Sequence, residues 1–142
     1  MSALTHWLAL QGFPGPQARH SNGDTPLMRA AWQGEDAIVL ALLAGGAALF
    51  DLNDEGNNAL WFACLSGSLA LMSLLIRAGL PIDHSNDAGL TCLMQVARSG
   101  RQDIFQWLLA HGADIGLRAP DGRSALDMWP APSQPGARPR YP

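Results

Sequence analysis

The side chains that could carry out chemistry here are few: four histidines, two cysteines and twelve acids. All nine cationic residues are arginine, so no lysine is present to form a Schiff base or to hold phosphates from a glycine-rich loop. His6, His20, His84 and His111 do not share a helical metal-binding spacing, and neither Cys64 nor Cys92 has a His or Cys neighbour at ligand distance. No metal and no cofactor are expected. His84 follows Asp83 in a loop-like stretch and reads as a solvated loop residue. Cys64 falls among small core residues and reads as a buried, inert thiol. Cys92 begins a helix, a place where thiols can be activated, but packing is its expected role. No Ser, His and Asp set emerges from the spacing. The glycines that might suggest a phosphate loop all belong to a repeat, so no enzymatic activity is expected.

Composition narrows the partners. Net charge is -3 and the pI about 5.7, which argues against nucleic acid, whose binders need a dense cationic surface. No apolar run reaches the roughly 18 residues of a membrane span. Residues 1–10 lack a basic start and are interrupted by Thr5 and His6, so no secretory signal is expected. Two cysteines are too few for a disulfide framework, and a reducing, cytoplasmic setting follows. The absence of lysine beside abundant Ala, Arg, Gly and Pro points to a GC-rich, bacterial source. Charged residues make up 15% of the chain, against about 25% in a typical soluble domain. With 48% apolar residues the chain can fill one core while leaving little charge for its surface.

The elements that must position these residues are set by a repeat. Gly23, Gly56, Gly89 and Gly122 are 33 apart, and so are Gly34, Gly67 and Gly100, and Gly46, Gly79 and Gly112. Leu27, Leu60, Leu93 and Leu126 keep the same step, as do Leu42, Leu75 and Leu108. In the first unit Thr25 is placed to cap a helix over residues 25–33, with Pro26 at its first position and Gly34 as its stop. Residues 35–44 predict a second helix with Ile38, Val39, Leu42 and Leu43 on its buried face. Residues 47–55 lead through Asn53-Asp54-Glu55-Gly56 into a hairpin-like turn. Ala30, Ala31, Ala63, Cys64, Val96 and Ala97 are small enough for the first helices of adjacent units to approach closely. Such units bury their apolar faces only by stacking.

These stretches, residues 23–34, 56–67 and 89–100 with their second halves 38–47, 71–80 and 104–113, resemble the ankyrin repeat family. The resemblance covers about residues 20–129 and implies an all-α ankyrin-repeat solenoid of stacked helix-turn-helix units with projecting hairpin-like loops. We divide the chain into a helical N-terminal cap and loop (1–19), three repeats (20–52, 53–85 and 86–118), a C-terminal half-repeat cap (119–129) and a Pro-rich disordered tail (130–142). Residues 2–11 predict the capping helix, with Leu4, Trp7, Leu8 and Leu10 turned inward. The sequence departs from the family where His is usual and Met28, Trp61, Met94 and Asp127 stand instead. The usual Thr to His bond cannot form there, at a cost of about 1 kcal/mol each, and modest stability is expected. Trp61 and Trp107 read as packing residues.

The family resemblance implies a non-catalytic protein-protein interaction module, with a protein partner met by a concave first-helix face and the loop tips. Carried over residue by residue, the helix positions are Arg29, Trp32 and Gln33, then Phe62, Leu65 and Ser66, then Gln95, Arg98 and Ser99. Each trio is spaced i, i+3, i+4 and shares one stripe. At the tips stand Ser21, Asn22 and Asp24, then Asp54, Glu55 and Asn57, then Asp87, Ala88 and Leu90, then Asp121 and Arg123. Trp32, Phe62 and Leu65, rimmed by Arg29, Gln95 and Arg98, have the makeup of an interface hot spot. Against this, the N-terminal cap or the loop over residues 13–20 could cover Trp32. The sequence admits two alternatives: an inhibitor or immunity-type protein that blocks an enzyme with the acidic tips, and an adaptor that docks through the P-x-x-P run at Pro132 to Pro135. A monomer without nucleic-acid or membrane contact is expected.

Overall fold

The structure, a computed structural model, describes residues 2–130. The run 131–142, which holds the P-x-x-P sequence and most of the expected tail, lies outside the described residues. The chain forms two compact units, Met1–Leu80 and Pro81–Pro142.

The first unit contains α1 (Ala3–Leu10), α2 (Pro26–Gln33), α3 (Asp36–Ala44), α4 (Ala59–Ser66) and α5 (Leu69–Ala78). The starts of α1, α2, α4 and α5 follow from capping chemistry, whereas Glu35 ahead of α3 makes no side-chain cap. Ser2 Oγ accepts the Thr5 amide at 3.0 Å, Asn58 Oδ1 the Trp61 amide at 3.2 Å, and Ser68 Oγ the Leu71 amide at 3.2 Å. Thr25 caps α2, Pro26 opens it, and Gly34 closes it at φ 71°, a backbone conformation that residues with a Cβ rarely adopt. Helix α2 packs on α3 and α4, α4 on α5, and α1 on α3. Ala30, Ala31 and Ala63 are fully buried, which lets α2 and α4 approach closely, and Val39, Leu42, Leu60, Leu71 and Leu75 fill the space around them.

Details of this unit depart from the sequence reading. Trp7 and Leu8 are buried and Leu4 half-buried, but Leu10 is 69% exposed. Two residues after Leu8 is about 200° around a helix, so Leu10 points away from α3. At the position where the family carries His, the Met28 thioether fills in: Thr25 Oγ1 accepts the Met28 amide at 3.2 Å, and the Thr25 amide donates to Met28 Sδ at 3.5 Å. Met94 serves Thr91 in the same way in the second unit. A sulfur is a weak acceptor, but it gives the Thr25 and Thr91 amides a partner where the Thr to His bond is missing.

The second unit contains α6 (Cys92–Arg98), α7 (Gln102–Ala110) and a short 3-10 turn, Leu126–Met128. Helix α6 packs on α7 and on the 3-10 turn, and Phe105 meets Trp129 edge to face at 5.1 Å. Leu126 breaks its series. Leu27, Leu60 and Leu93 are at most 2% exposed, whereas Leu126 is 59% exposed. A three-residue turn cannot present a helical stripe, so Ala125 and Met128 fill the core there instead.

The expected hairpin-like turns recur in both units. The amides of Gly23, Gly56, Gly89 and Gly122 donate to the carbonyls of His20, Asn53, Asn86 and Ala119, and each glycine has φ between 77° and 86°. A type I turn closed by a left-handed residue has this pattern, which explains why glycine keeps the 33-residue step.

Candidate interaction face

The polar side chains at the first tips are used within the unit. Asp24, placed by sequence at a tip, is 6% exposed, and its carboxylate accepts from Asn53 Nδ2 at 2.9 Å and Asn22 Nδ2 at 3.2 Å. Asn53 Oδ1 in turn accepts the amides of Glu55 and Asn57, each at 3.0 Å. Asn57 is buried as well, so Asp24 and Asn57 are not contact positions. They are buried because the following loop lies against the first: the Asp54 amide donates to the Asn22 carbonyl at 3.0 Å. Arg19 joins the same two loops through the Leu52 carbonyl at 2.8 Å and the Asp51 carboxylate at 3.0 Å. Asp54 and Glu55 remain exposed, as do Ser21 and Asn22.

On α2 the stripe is divided. Trp32 is 50% exposed, so neither the capping helix nor the 13–20 loop covers it. They meet its neighbours instead. Gln33 accepts from Trp7 Nε1 at 3.3 Å and donates to Gln11 Oε1 at 2.8 Å, so its amide is engaged although the residue is exposed. His20 lies against Phe13 with ring centroids 3.9 Å apart. Its Nε2 is 2.9 Å from the Gln11 carbonyl, which can only accept, so the proton is assigned to Nε2. Nδ1 then accepts from Arg29 Nη2 at 3.2 Å. The Arg29 guanidinium lies 5.4 Å from the Trp32 ring centre. Its Nε is buried without a hydrogen-bond partner, and no carboxylate among the described residues pairs with it.

On α4, Leu65 is 37% exposed, Phe62 is half-buried, and the Ser66 hydroxyl donates to the Ala63 carbonyl at 2.8 Å. In the second unit Arg98 is exposed, Gln95 half-buried with Nε2 at 3.5 Å from Ser99 Oγ, Asp87 exposed and Leu90 half-buried. Trp61 and Trp107 are half-buried, and Trp107 stacks on His111 at 3.7 Å. Cys64 and Cys92 are buried and outside any disulfide.

Beyond the stripe, Asp121 and Asp127 titrate below the ordinary carboxylate value of 3.8. The Arg123 amide and guanidinium hold down the first, and the Ser124 amide and hydroxyl the second. The sequence reading missed His20 and Asn53. Asn53 left a trace, since Asn86 follows it by 33 residues and likewise accepts two amides of its own turn, those of Ala88 and Leu90 at 3.0 Å. Among the described residues no three His, Cys, Asp or Glu side chains converge, and no helix is long and apolar enough to cross a membrane.

Comparison with known proteins places this architecture. The chain is 38% identical over 78 residues to mouse ankyrin repeat and SAM domain-containing protein 6, a match covering 54% of this chain and 9% of that protein. It is 32% identical over 108 residues to the chicken nuclear factor NF-kappa-B p105 subunit, covering 73% of this chain and 11% of the other. The Arabidopsis potassium channel AKT2/3 is 29% identical over 119 residues, 15% of that channel's length. The chain therefore spans only a small part of each relative. Ankyrin repeats are in general non-catalytic protein-protein interaction modules. The family model for ankyrin repeats (3 copies) matches residues 27–119, and with seven helices among the described residues, the capped helix pairs and the 33-residue glycine turns, this chain belongs to the ankyrin repeat family.

Proposed function

We propose that the chain binds a protein partner through its first-helix stripes and loop tips, without catalysis. In the first unit the contact residues are Arg29, Trp32, Gln33, Phe62, Leu65 and Ser66, with Asp54 and Glu55 at the tip. In the second unit they are Gln95 and Arg98, with Asp87 and Leu90. The divisions 20–52, 53–85 and 86–118 are the repeats that carry them, between the capping segments 1–19 and 119–129. The observation that carries this reading is Trp32, half exposed beside a guanidinium that has no carboxylate partner among the described residues. An apolar group with an adjacent acceptor would cover the indole and pair Arg29, and aromatic and arginine anchors carry most interface affinity. Buried thiols at Cys64 and Cys92 support a reducing, cytoplasmic setting, and the lysine-free composition supports a bacterial one.

The test is capture of partners from a bacterial lysate with the wild-type chain and with Trp32→Ala and Leu65→Ser, followed by affinity measurement on the recovered protein. Both substitutions should leave circular dichroism and melting nearly unchanged and weaken binding by about 2 kcal/mol or more for Trp32. Phe62 is half-buried and is a poorer probe, because its truncation also removes packing. Unaltered affinity in both variants refutes the reading. The exposed acids Asp54, Glu55 and Asp87 favour a second reading, blockade of a basic enzyme site. Its mark is a salt-dependent association rate that falls in Asp54→Asn with Asp87→Asn.

A further inference from the structure

Helix α3 is apolar at every position after Asp36, a pattern suited to a helix buried on all sides. Only one side is buried, through Ile38, Val39 and Leu42, while Leu40 is 53% exposed and Ala37 and Ala44 face solvent. Helix α5 beside it carries a single charge, Arg77, and leaves Leu69 40% exposed. An open groove of about 520 Å³ runs between the two helices, lined by Leu40, Ala70, Leu74 and Ala78 among others, and Asp36 and Arg77 are its only charged residues. The helices occupy equivalent places in consecutive repeats, starting 33 residues apart, and so run in the same direction. Asp36 is the first residue of α3 and Arg77 the next to last of α5, which puts the two charges at opposite ends of the groove.

We infer that this face is covered by a second copy of the same chain, related by a two-fold axis perpendicular to the groove. Such an axis reverses the helix direction. It lays the groove of one copy antiparallel on the groove of the other, α3 over α3 and α5 over α5, and brings Asp36 of each to the same end as Arg77 of the other, so the charge pattern is self-complementary. Ten helical residues span about 15 Å, and two helices side by side about 20 Å. The footprint is then about 300 Å² per copy and about 600 Å² in total, below the roughly 1,200 Å² of standard specific interfaces, so the dimer is weak and forms only at high concentration. The monomer expected from sequence is its dilute form. The face is formed by the second helices of the repeats and is separate from the Trp32 stripe.

Sedimentation equilibrium of the full chain from about 1 μM to about 1 mM tests this. The wild-type mass should rise toward that of a dimer across this range. Asp36→Arg or Arg77→Asp alone should weaken association at least tenfold, because each homodimer then holds two like-charged contacts. An equimolar mixture of the two variants should regain wild-type association, because the mixed pair restores opposite charges at both ends. Leu40→Glu, at an exposed position, should remain monomeric with an unchanged melt, and Trp32→Ala should dimerise as the wild type does. A wild-type chain that stays monomeric throughout, as expected if the helix of another protein covers this face, overturns the proposal. So does a mixture no better than its components, or a Leu40→Glu chain that associates normally.

Discussion

Replacing Asn53 by alanine tests whether the loops of consecutive repeats are held together by buried polar contacts or merely lie side by side. The substitution removes the 2.9 Å bond from Nδ2 to the Asp24 carboxylate, and a hydrogen bond to a charged group contributes about 1.5–3 kcal/mol. It also removes the acceptor of the Asn57 amide, in a residue only 4% exposed. An amide orphaned there costs about 1–3 kcal/mol, whereas the Glu55 amide, in an exposed residue, can turn to water. Taking the lower half of both ranges gives a loss of about 2.5–4 kcal/mol, a large fraction of the 5–15 kcal/mol that stabilises a typical domain. Urea unfolding followed by circular dichroism measures it, and a drop of roughly 10 °C in melting temperature should accompany it. The Asp24→Ala, Asn53→Ala double-mutant cycle then isolates the direct bond, with an expected coupling of at least about 1 kcal/mol. A loss below about 1 kcal/mol for Asn53→Ala, or additivity of the two single changes, would refute the claim that this pair couples the loops.

Two further substitutions separate backbone demand from crowding at the turns. Gly23→Ala must accept a left-handed φ of 86° and would also bring a Cβ to 2.8 Å from the Asp54 backbone nitrogen, so it should cost about 3 kcal/mol or more. Gly34→Ala meets no atom within 4 Å and should lose only about 1–2 kcal/mol; equal losses at the two sites by urea unfolding would contradict this assignment. At the C-terminal turn Asp127 has a depressed carboxyl, so its contribution is present above the ordinary value of 3.8 and is lost as pH falls through the lower folded value. The Ser124 amide resonance should follow that titration with a midpoint below 3.8 and stop doing so in Asp127→Asn, and a midpoint at or above 3.8 would show that the Ser124 contacts do not hold the carboxylate.

The parts of this fold that can be read from sequence are those where the backbone itself limits the choice of residue. Turns with a left-handed residue select glycine, the starts of α2, α4 and α6 select Thr or Asn, and a close approach of α2 and α4 selects alanine, so all three recur at fixed intervals. The parts that could not be read depend on contacts between residues far apart in sequence. Asp24 and Asp54 look alike in sequence, yet only Asp24 is buried, because Asn53, 29 residues on, reaches it. Trp32 and Gln33 are neighbours on one stripe, and it is the docking of Trp7 and Gln11 from the capping segment that engages one and leaves the other in solvent.

The same separation supports the two proposed faces. Ile38, Val39 and Leu42 already satisfy the core on α3, and Ala30, Ala31 and Leu27 do so on α2. Leu40 and Trp32 therefore add apolar area that the fold does not use. In a chain with only 15% charged residues, part of the exposed apolar surface lies on two faces, with Trp32 and Leu65 on the first-helix stripe and Leu40 beside the second-helix groove. A fold requirement would recur at every repeat, but the residues at the positions of Trp32 are Leu65 and Arg98, and those at the positions of Leu40 are Ser73 and Gln106. Variation of this kind at solvent-facing positions on a regular scaffold is what recognition of a particular molecule requires, and it is the reason binding is proposed for the two faces rather than for the recurring geometry of the turns.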